Sequence, residues 1–335
     1  MFGRKKKSLE SRIGDFWAWW SESGRALVTT AVEQGNLNSV VKPLTTAVHR
    51  IDSDLAWEFG SSACGQPVLV VTGEGVPQLR AIAQRWCDAA PQTETSVMFA
   101  PCRLPKPGAE SAVIAVVGST EVGVATARFH VVVDEDHGWV SVGVFHSAFA
   151  GLDSDAADQM SFMMLDGVLG EDGVGRWVGP IESLTDAPAD SVDASGLRDA
   201  VAALAERASS HRFVQWSAET EQGPLVVSAR RPLHWLSAPL ATTSVVVERQ
   251  YPAGPDGLPS EETFAALDAE EEHLAAALPV SAQYVAAAMY GGVRRLYFYV
   301  APEDSVDGIG EWASGAGAKM AVNGDPGWGL VANFR

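Results

Sequence analysis

The chain has 335 residues, of which 47% are apolar and 20% are charged, and its formal net charge at pH 7 is −18. This length is too great for one average domain and favours two, while the apolar fraction suffices for buried cores and excludes wholesale disorder. The negative charge excludes general binding to double-stranded nucleic acid, which needs a basic face against the phosphates, and it suits a basic protein partner.

The cysteines indicate the redox setting of the chain. Cys64, Cys87 and Cys102 are odd in number and none are spaced as CxxC. The sequence therefore indicates neither a disulfide framework nor a zinc site, and no motif indicates a cofactor. We expect a reducing, cytoplasmic location.

The N-terminus combines a basic run, Arg4 to Lys7, with a helix in which Ile13, Phe16, Trp17 and Trp20 recur at helical spacing. No apolar stretch long enough for a signal peptide or a membrane span follows. Contact with an anionic membrane surface is one alternative, but such binding usually needs two signals. We expect a solvated, mobile tail and no stable membrane association.

Residues 1–190 are predicted to form an N-terminal α+β domain, a mainly antiparallel sheet covered by helices. Helical periodicity and period-two alternation distinguish its elements. Helices are predicted around Ile13–Trp20, Leu37–Ile51, Pro77–Trp86 and Ala157–Val168. Strands are predicted at Leu55–Phe59, Pro67–Thr72, Val97–Ala100, Ala112–Val117, Thr126–Asp134 and Trp139–Phe145.

The acidic loop Asp134–Gly138 joins two of these strands and is predicted to be a hairpin loop. Its carboxylates are potential metal ligands. The loop lacks the ligand spacing of a calcium-binding loop, and turn chemistry explains Asp and Gly there equally well. We predict no metal site.

Residues 191–210 are predicted to be a linker and a connecting helix, because the sequence DAPADSVDASG is small, acidic and proline-containing. Residues 211–335 form the second predicted domain, which is also α+β. Its strands are predicted at Arg212–Ala218, Leu225–Arg230 and Thr243–Arg249. A helix capped by Ser260 then runs to Leu278, and a Gly291-Gly292 turn leads into an aromatic strand ending at Val300.

Glu271 is the most informative residue of this helix. At ~100° per residue it falls inside the narrow arc of apolar positions that includes Leu267 and Leu274. A buried carboxylate is costly unless it is paired, and Arg294 shares the side of the following strand that would face the helix. A structural ion pair, a solvated carboxylate at the rim and a catalytic carboxylate are the alternatives, and the last has the least support.

Arg295, Tyr297 and Tyr299 would form a basic-aromatic row on the opposite side of the same strand. Aromatic rows of this kind stack single-stranded bases in some RNA-binding modules. A second packing layer would cover the same residues in an ordinary domain. Given the negative charge of the chain, we expect burial.

The second half resembles the bacterial family called domain of unknown function 695, from about Phe213 to the C-terminus. The residues that carry the resemblance are Trp216, Asp256-Gly257-Leu258-Pro259, Leu267, Glu271, Gly292, Arg294, Tyr297-Phe298-Tyr299 and Asp325-Pro326-Gly327-Trp328. The portion from Asp256 to Val300 is also similar to the regulator of ribonuclease E activity B. That likeness implies a ferredoxin-like α+β fold and inhibition by binding rather than by catalysis. Neither resemblance transfers a catalytic residue.

These observations favour a cytoplasmic, non-enzymatic protein that binds another protein as a regulator or inhibitor. A close variant is an immunity protein that neutralises a basic toxin. A carboxylate- or metal-dependent hydrolase that uses Asp134 or Glu271, and a single-stranded RNA-binding module that uses the basic-aromatic row, remain alternatives from other classes.

Overall fold

The computed structural model describes residues 7–62, 64–106, 108–117, 120–208, 213–221, 223–278 and 281–335. Parts of three sequence predictions lie outside these ranges: residues 4–6 of the basic run, residues 209–210 of the connecting segment, and Arg212 at the start of a strand. The described chain mixes helices with mainly antiparallel sheets, which confirms the α+β class.

The chain forms two compact units. Unit 1 comprises Met1–Val132 and Val140–Ala200, and unit 2 comprises Val133–Trp139 and Val201–Arg335. The tip of the acidic hairpin therefore belongs to unit 2. The chain passes into unit 2 again after Ala200, within a helix.

The elements from the N-terminus to Ala208 alternate between helices and short strands. The helices are α1 (Leu9–Trp19), α2 (Arg25–Glu33), α3 (Asn38–His49), α4 (Pro77–Asp88), α5 (Ser154–Leu169), α6 (Glu171–Trp177) and α7 (Ala194–Ala208). The strands are β1 (Ala56–Ser61), β2 (Pro67–Thr72), β3 (Met98–Ala100), β4 (Val113–Val117), β5 (Thr120–Gly123), β6 (Arg128–Asp134), β7 (Trp139–Phe145) and β8 (Val178–Leu184).

An aromatic cluster forms the core beneath α1. Phe16, Trp17, Trp20 and Trp86 are buried, and the rings of Trp17 and Trp86 stack with their centroids 5.3 Å apart. The indole N–H of Trp17 donates to the backbone carbonyl of Trp86 at 3.0 Å, which satisfies the polar end of a buried ring. The aromatic stripe predicted for the first helix is thus interior and not a membrane-facing surface.

The strands that the structure describes in unit 1 divide among three sheets, whereas the sequence predicts one sheet. β1, β2 and β3 form one sheet, β4 and β5 a second, and β6, β7 and β8 a third. Two neighbouring pairs, β2 with β3 and β7 with β8, are parallel. Both parallel pairs are joined through helices, because parallel neighbours need a crossover connection.

The described strands between Phe213 and Gly324 form a six-stranded antiparallel sheet in unit 2. Its elements are β9 (Phe213–Thr220), β10 (Gly223–Arg230), β11 (Thr243–Gln250), α8 (Glu261–Ala277), β12 (Gln283–Tyr290), β13 (Val293–Val300), α9 (Asp307–Gly315) and β14 (Lys319–Gly324). The strand order is β14-β11-β13-β12-β10-β9. From β11 to β14 the chain therefore follows the βαββαβ order of a ferredoxin-like fold, and the hairpin β9–β10 widens the sheet beyond β12.

The two faces of this sheet are covered differently. On one face Val245, Val247 and Phe298 pack against the helices, including Leu274 of α8 and Ile309 of α9. On the other face the C-terminal segment, which ends in the 3₁₀ helix Gly329–Phe334, contributes buried Trp328 and Val331. The inner strands β11, β12 and β13 therefore carry buried residues on both sides, whereas the edge strand β14 is exposed along its length.

Candidate functional site

The start of α8 is fixed to the β12–β13 hairpin through a tight turn. The Ser260 hydroxyl accepts from the backbone N–H of Thr263 at 3.2 Å and caps the helix, as the sequence predicts. The backbone N–H of Gly292 donates to the carbonyl of Gly257 at 3.0 Å. Gly257 has φ +80°, a left-handed conformation that favours glycine. The turn therefore sets where α8 meets the start of β13.

Arg294 of β13 meets two carboxylates of α8 at this junction. Its Nη2 donates to Oε2 of Glu271 at 2.6 Å and to Oδ1 of Asp268 at 2.8 Å, and its Nε lies 2.6 Å from Oε1 of Glu271. The side chains of Arg294 and Glu271 are 7% and 17% exposed, whereas that of Asp268 is 50% exposed. The predicted ion pair is present, and Glu271 is not a solvated rim residue.

Burial dominates the electrostatics of this cluster. It raises the pKa of Glu271 to about 7, although the charge of Arg294 and its hydrogen bond act in the opposite direction. The nearby Tyr284 also has a raised pKa, because burial and the charge of Glu271 both disfavour its phenolate. Near neutral pH Glu271 is therefore poised between its two protonation states.

Aromatic rings complete the surroundings of Arg294. Its guanidinium lies over the ring of Phe264, with the central carbon 5.3 Å from the ring centroid. Tyr284 stacks on Phe213 of β9, with centroids 5.4 Å apart, and packs on Phe298 below. These contacts hold the cation between helix and sheet without removing all access to it.

A groove of about 430 Å³ opens beside this cluster. Asp268, Glu271 and Phe264 form its helical side, and strands β9, β10 and β12 form its floor. Phe213 is 38% exposed there, and Gln215 is exposed beside it. The groove thus combines apolar surface with carboxylates, and its volume falls in the range of ligand-binding clefts.

Glu271 and Arg294 are recognisable from the sequence pattern, whereas Asp268 and the groove are not among the sequence predictions. Asp268 lies three residues before Glu271, on the same side of the helix, and this spacing could have identified it. The groove depends on β9 lying next to β10 at the far side of β12. No local pattern in the sequence predicts that pairing.

The predicted basic-aromatic row is mostly covered. Tyr299 is fully buried, its ring stacks on Trp328 at 4.6 Å, and its hydroxyl donates to Asp325 at 2.6 Å. Tyr297 is half-buried and packs edge-on against Phe334. Arg295 donates to Glu248 at 2.9 Å. Burial of Tyr299 removes the stacking surface that the RNA-binding alternative requires.

The acidic loop forms the predicted hairpin turn between β6 and β7. Asp134 accepts from the backbone N–H of His137 at 3.0 Å and lies 2.7 Å from the imidazole Nδ1 of the same residue. These hydrogen bonds to His137 hold the pKa of Asp134 below its usual value, against the effect of burial. Within the described ranges no group of three or more His, Cys, Asp or Glu side chains is arranged to hold a metal ion.

Unit 1 has its own polar cluster, at the carboxyl ends of parallel β2 and β3. The Glu171 carboxylate accepts from the hydroxyl of Thr72 at 2.7 Å, the N–H of Gly75 at 3.0 Å and the N–H of Arg103 at 3.2 Å. Ligands often bind at such strand ends in α/β proteins. Here Glu171 already accepts the hydrogen bonds of these donors, so they are not available to a ligand. The cluster instead anchors α6 to the β2–α4 loop.

The described part of the chain contains no helix with the length and apolar character needed to cross a membrane. Comparison with protein-family models, with curated proteins and with solved structures gave no match.

Proposed function

We propose that this protein is a cytoplasmic, non-enzymatic regulator or inhibitor that binds a basic segment of a partner protein in the groove beside α8. The observation that carries the proposal is the charge imbalance in the groove. The cation of Arg294 faces two carboxylates, Asp268 and Glu271, and Asp268 is half exposed toward the solvent. A second cation, from a Lys or Arg of the partner, would favour the charged form of Glu271 and balance the second carboxylate.

The charge of the whole helix supports the same partner chemistry. α8 carries six carboxylates and neither Lys nor Arg. Glu261 and Glu262 in its first turn are exposed. A surface with charges of one sign attracts a basic partner. It increases the association rate more than it increases the final affinity.

The groove floor supplies the apolar part of the interaction. Phe213, Val226 and Phe264 are each partly exposed to the groove. Aromatic side chains on a rigid scaffold are favoured as interface anchors, because they bury large areas with little loss of conformational freedom. A partner segment with a Lys or Arg next to an apolar residue fits both features.

The proposal is tested by affinity purification with mass spectrometry, using the unaltered protein and two variants. Asp268→Asn removes the half-exposed charge of the groove, and Glu262→Gln removes one exposed charge from the same helix outside it. We expect at least about a fivefold loss of a specific co-purified protein with Asp268→Asn and less than about a twofold loss with Glu262→Gln, since surface charges act locally at physiological salt. Equal recovery with both variants would contradict the groove assignment.

The alternative functions predicted from the sequence differ in how well they agree with a partner-binding groove. An immunity protein for a basic toxin is one form of it, and a toxin as the co-purified protein would identify that form. The hydrolase alternative gains no support, because Glu271 and Asp134 are each held by a neighbouring side chain. The likenesses to domain of unknown function 695 and to the regulator of ribonuclease E activity B stay predictions, and only the second implies binding without catalysis.

A further inference from the structure

A second cavity, in unit 1, has the opposite charge character. It measures about 430 Å³ and lies between α1 and α3. Lys7, Arg12 and Arg50 line it, with Asp15, Phe16 and Trp19. Lys7 and Asp15 pair at 2.6 Å, so two guanidinium groups remain beyond that pair. In a chain of net charge −18, a concave surface with a positive balance is unexpected.

The two arginines have unused hydrogen-bonding capacity. Arg12 donates through Nη1 to the carbonyl of Ile51, but its Nε is buried and makes no hydrogen bond within the described chain. Arg50 is exposed, and no hydrogen bond or ion pair joins its guanidinium to any residue that the structure describes. Unused donors in a cleft favour an acceptor-rich ligand.

One side of the cavity is aromatic. Trp19 is partly exposed, and its ring packs edge-on against Phe16 with centroids 5.6 Å apart. A planar group can stack on such a ring, and guanidinium groups bind phosphate oxygens through two parallel donors.

We propose that this cavity binds a small phosphate monoester carried on a planar ring. The dianionic phosphate lies between Arg12 and Arg50, and the ring lies against Trp19. The volume is sufficient for a ligand of this size, because clefts that hold small molecules begin at roughly 300 Å³. This site is independent of the groove in unit 2 and of the partner proposed for it.

Isothermal titration of the full chain with phenyl phosphate, inorganic phosphate and benzyl alcohol tests the proposal. We expect phenyl phosphate to bind at least about tenfold more tightly than inorganic phosphate, because the ring adds its own contact, and benzyl alcohol not to bind. Absence of binding by phenyl phosphate would overturn the proposal, and so would equal binding of phenyl phosphate and benzyl alcohol.

The variant Arg50→Gln tests whether the ligand binds in this cavity. The variant should remain folded, because no described residue pairs with the Arg50 guanidinium. Lys42→Gln is the matched control: it removes one exposed positive charge from α3 outside the cavity. We expect Arg50→Gln to weaken phenyl phosphate binding at least about tenfold and Lys42→Gln less than about twofold. An equal effect of the two variants would show that the ligand responds to net charge and not to this cavity.

Discussion

Arg294 is a buried cation whose two carboxylate partners both come from α8. Removing such a charge pair as a whole is often tolerated, whereas removing one partner leaves the other charge buried without compensation. The stability of unit 2 therefore depends on the presence of both partners more than on the identity of either.

Comparison of a single variant with a double variant tests this dependence. We expect Glu271→Leu alone to lower the free energy of unfolding by roughly 3–5 kcal/mol, because Arg294 keeps only its contact with half-exposed Asp268. Glu271→Leu combined with Arg294→Met should be more stable than Glu271→Leu by at least about 1 kcal/mol. Urea unfolding of the single and double variants measures the difference. Equal destabilisation by both would mean that the loss of Glu271 does not leave Arg294 as an uncompensated buried charge.

The raised pKa of Glu271 has a consequence for stability against pH. In the folded chain Glu271 holds its proton up to about pH 7, whereas in the unfolded chain it loses the proton near pH 4.5. Unfolding between these values releases a proton, so a rise in pH through this window favours the unfolded state. The part of the stability that depends on the proton of Glu271 is fully present below about pH 4.5 and lost by about pH 7.

Glu271→Gln removes this titration while keeping the shape of the side chain. Relative to the variant, the unaltered protein should lose up to about 3 kcal/mol of unfolding free energy as the pH rises through that window, since one pKa unit corresponds to about 1.4 kcal/mol. Urea unfolding across the window measures both proteins. A constant difference between them would show that Glu271 has an ordinary pKa.

At the scale of elements, the C-terminal segment completes unit 2 by covering the sheet face opposite α8. Trp328 is fully buried, stacks on Tyr299 and donates its indole N–H to the carbonyl of Ala241 at 2.9 Å. It adopts φ +53°, which is unfavourable for a bulky side chain. Its packing must therefore outweigh that strain.

Replacement of Trp328 by Ala should lower the free energy of unfolding by roughly 3–5 kcal/mol, because a large buried ring and its hydrogen bond are both lost. Leu330→Ala in the same segment is the control. Leu330 is 51% exposed, so its replacement should change stability by less than about 0.5 kcal/mol. Thermal or urea unfolding compares the two variants, and a similar loss in both would indicate that the segment does not cover the sheet as described.

The elements that the sequence predicts are those with strong local signals. α8 has a serine cap, acidic residues in its first turn and a clear apolar arc, and the β12–β13 hairpin has two glycines at its turn. β14 and α9 were missed because they lie in a Gly-rich segment, and β8 was missed because Gly and Pro interrupt its pattern. These segments form helices and strands because they pair or pack with other elements, not because of their local propensity.

The arrangement of strands is the part that the sequence does not predict. Alternation identifies a strand but does not specify its neighbour, so the three sheets of unit 1 and the position of β9 beside β10 were not predicted as such. For unit 2 the predicted fold name, ferredoxin-like, agrees with the strand order from β11 to β14, although no strand order was predicted from the residues. The groove lies where β9 and β10 add to that core, so the resemblance did not imply it.

At the scale of the whole molecule, each unit has its own compact core and its own polar feature. Unit 2 offers carboxylates beside an apolar floor, and unit 1 offers guanidinium groups beside an aromatic ring. The two features call for ligands of opposite charge. A chain with net charge −18 therefore does not present a uniform acidic surface to its surroundings.

Site-specific photo-crosslinking tests most directly whether a basic partner binds in the groove. A photoreactive amino acid replaces Gln215 on the groove floor, and in a separate variant it replaces Glu311, an exposed residue of α9 outside the groove. We expect crosslinks from position 215 to a Lys- or Arg-rich segment of one partner, reduced at least about fivefold by Asp268→Asn and suppressed at high salt. Crosslinks to that partner from position 311 but not from position 215 would contradict the account.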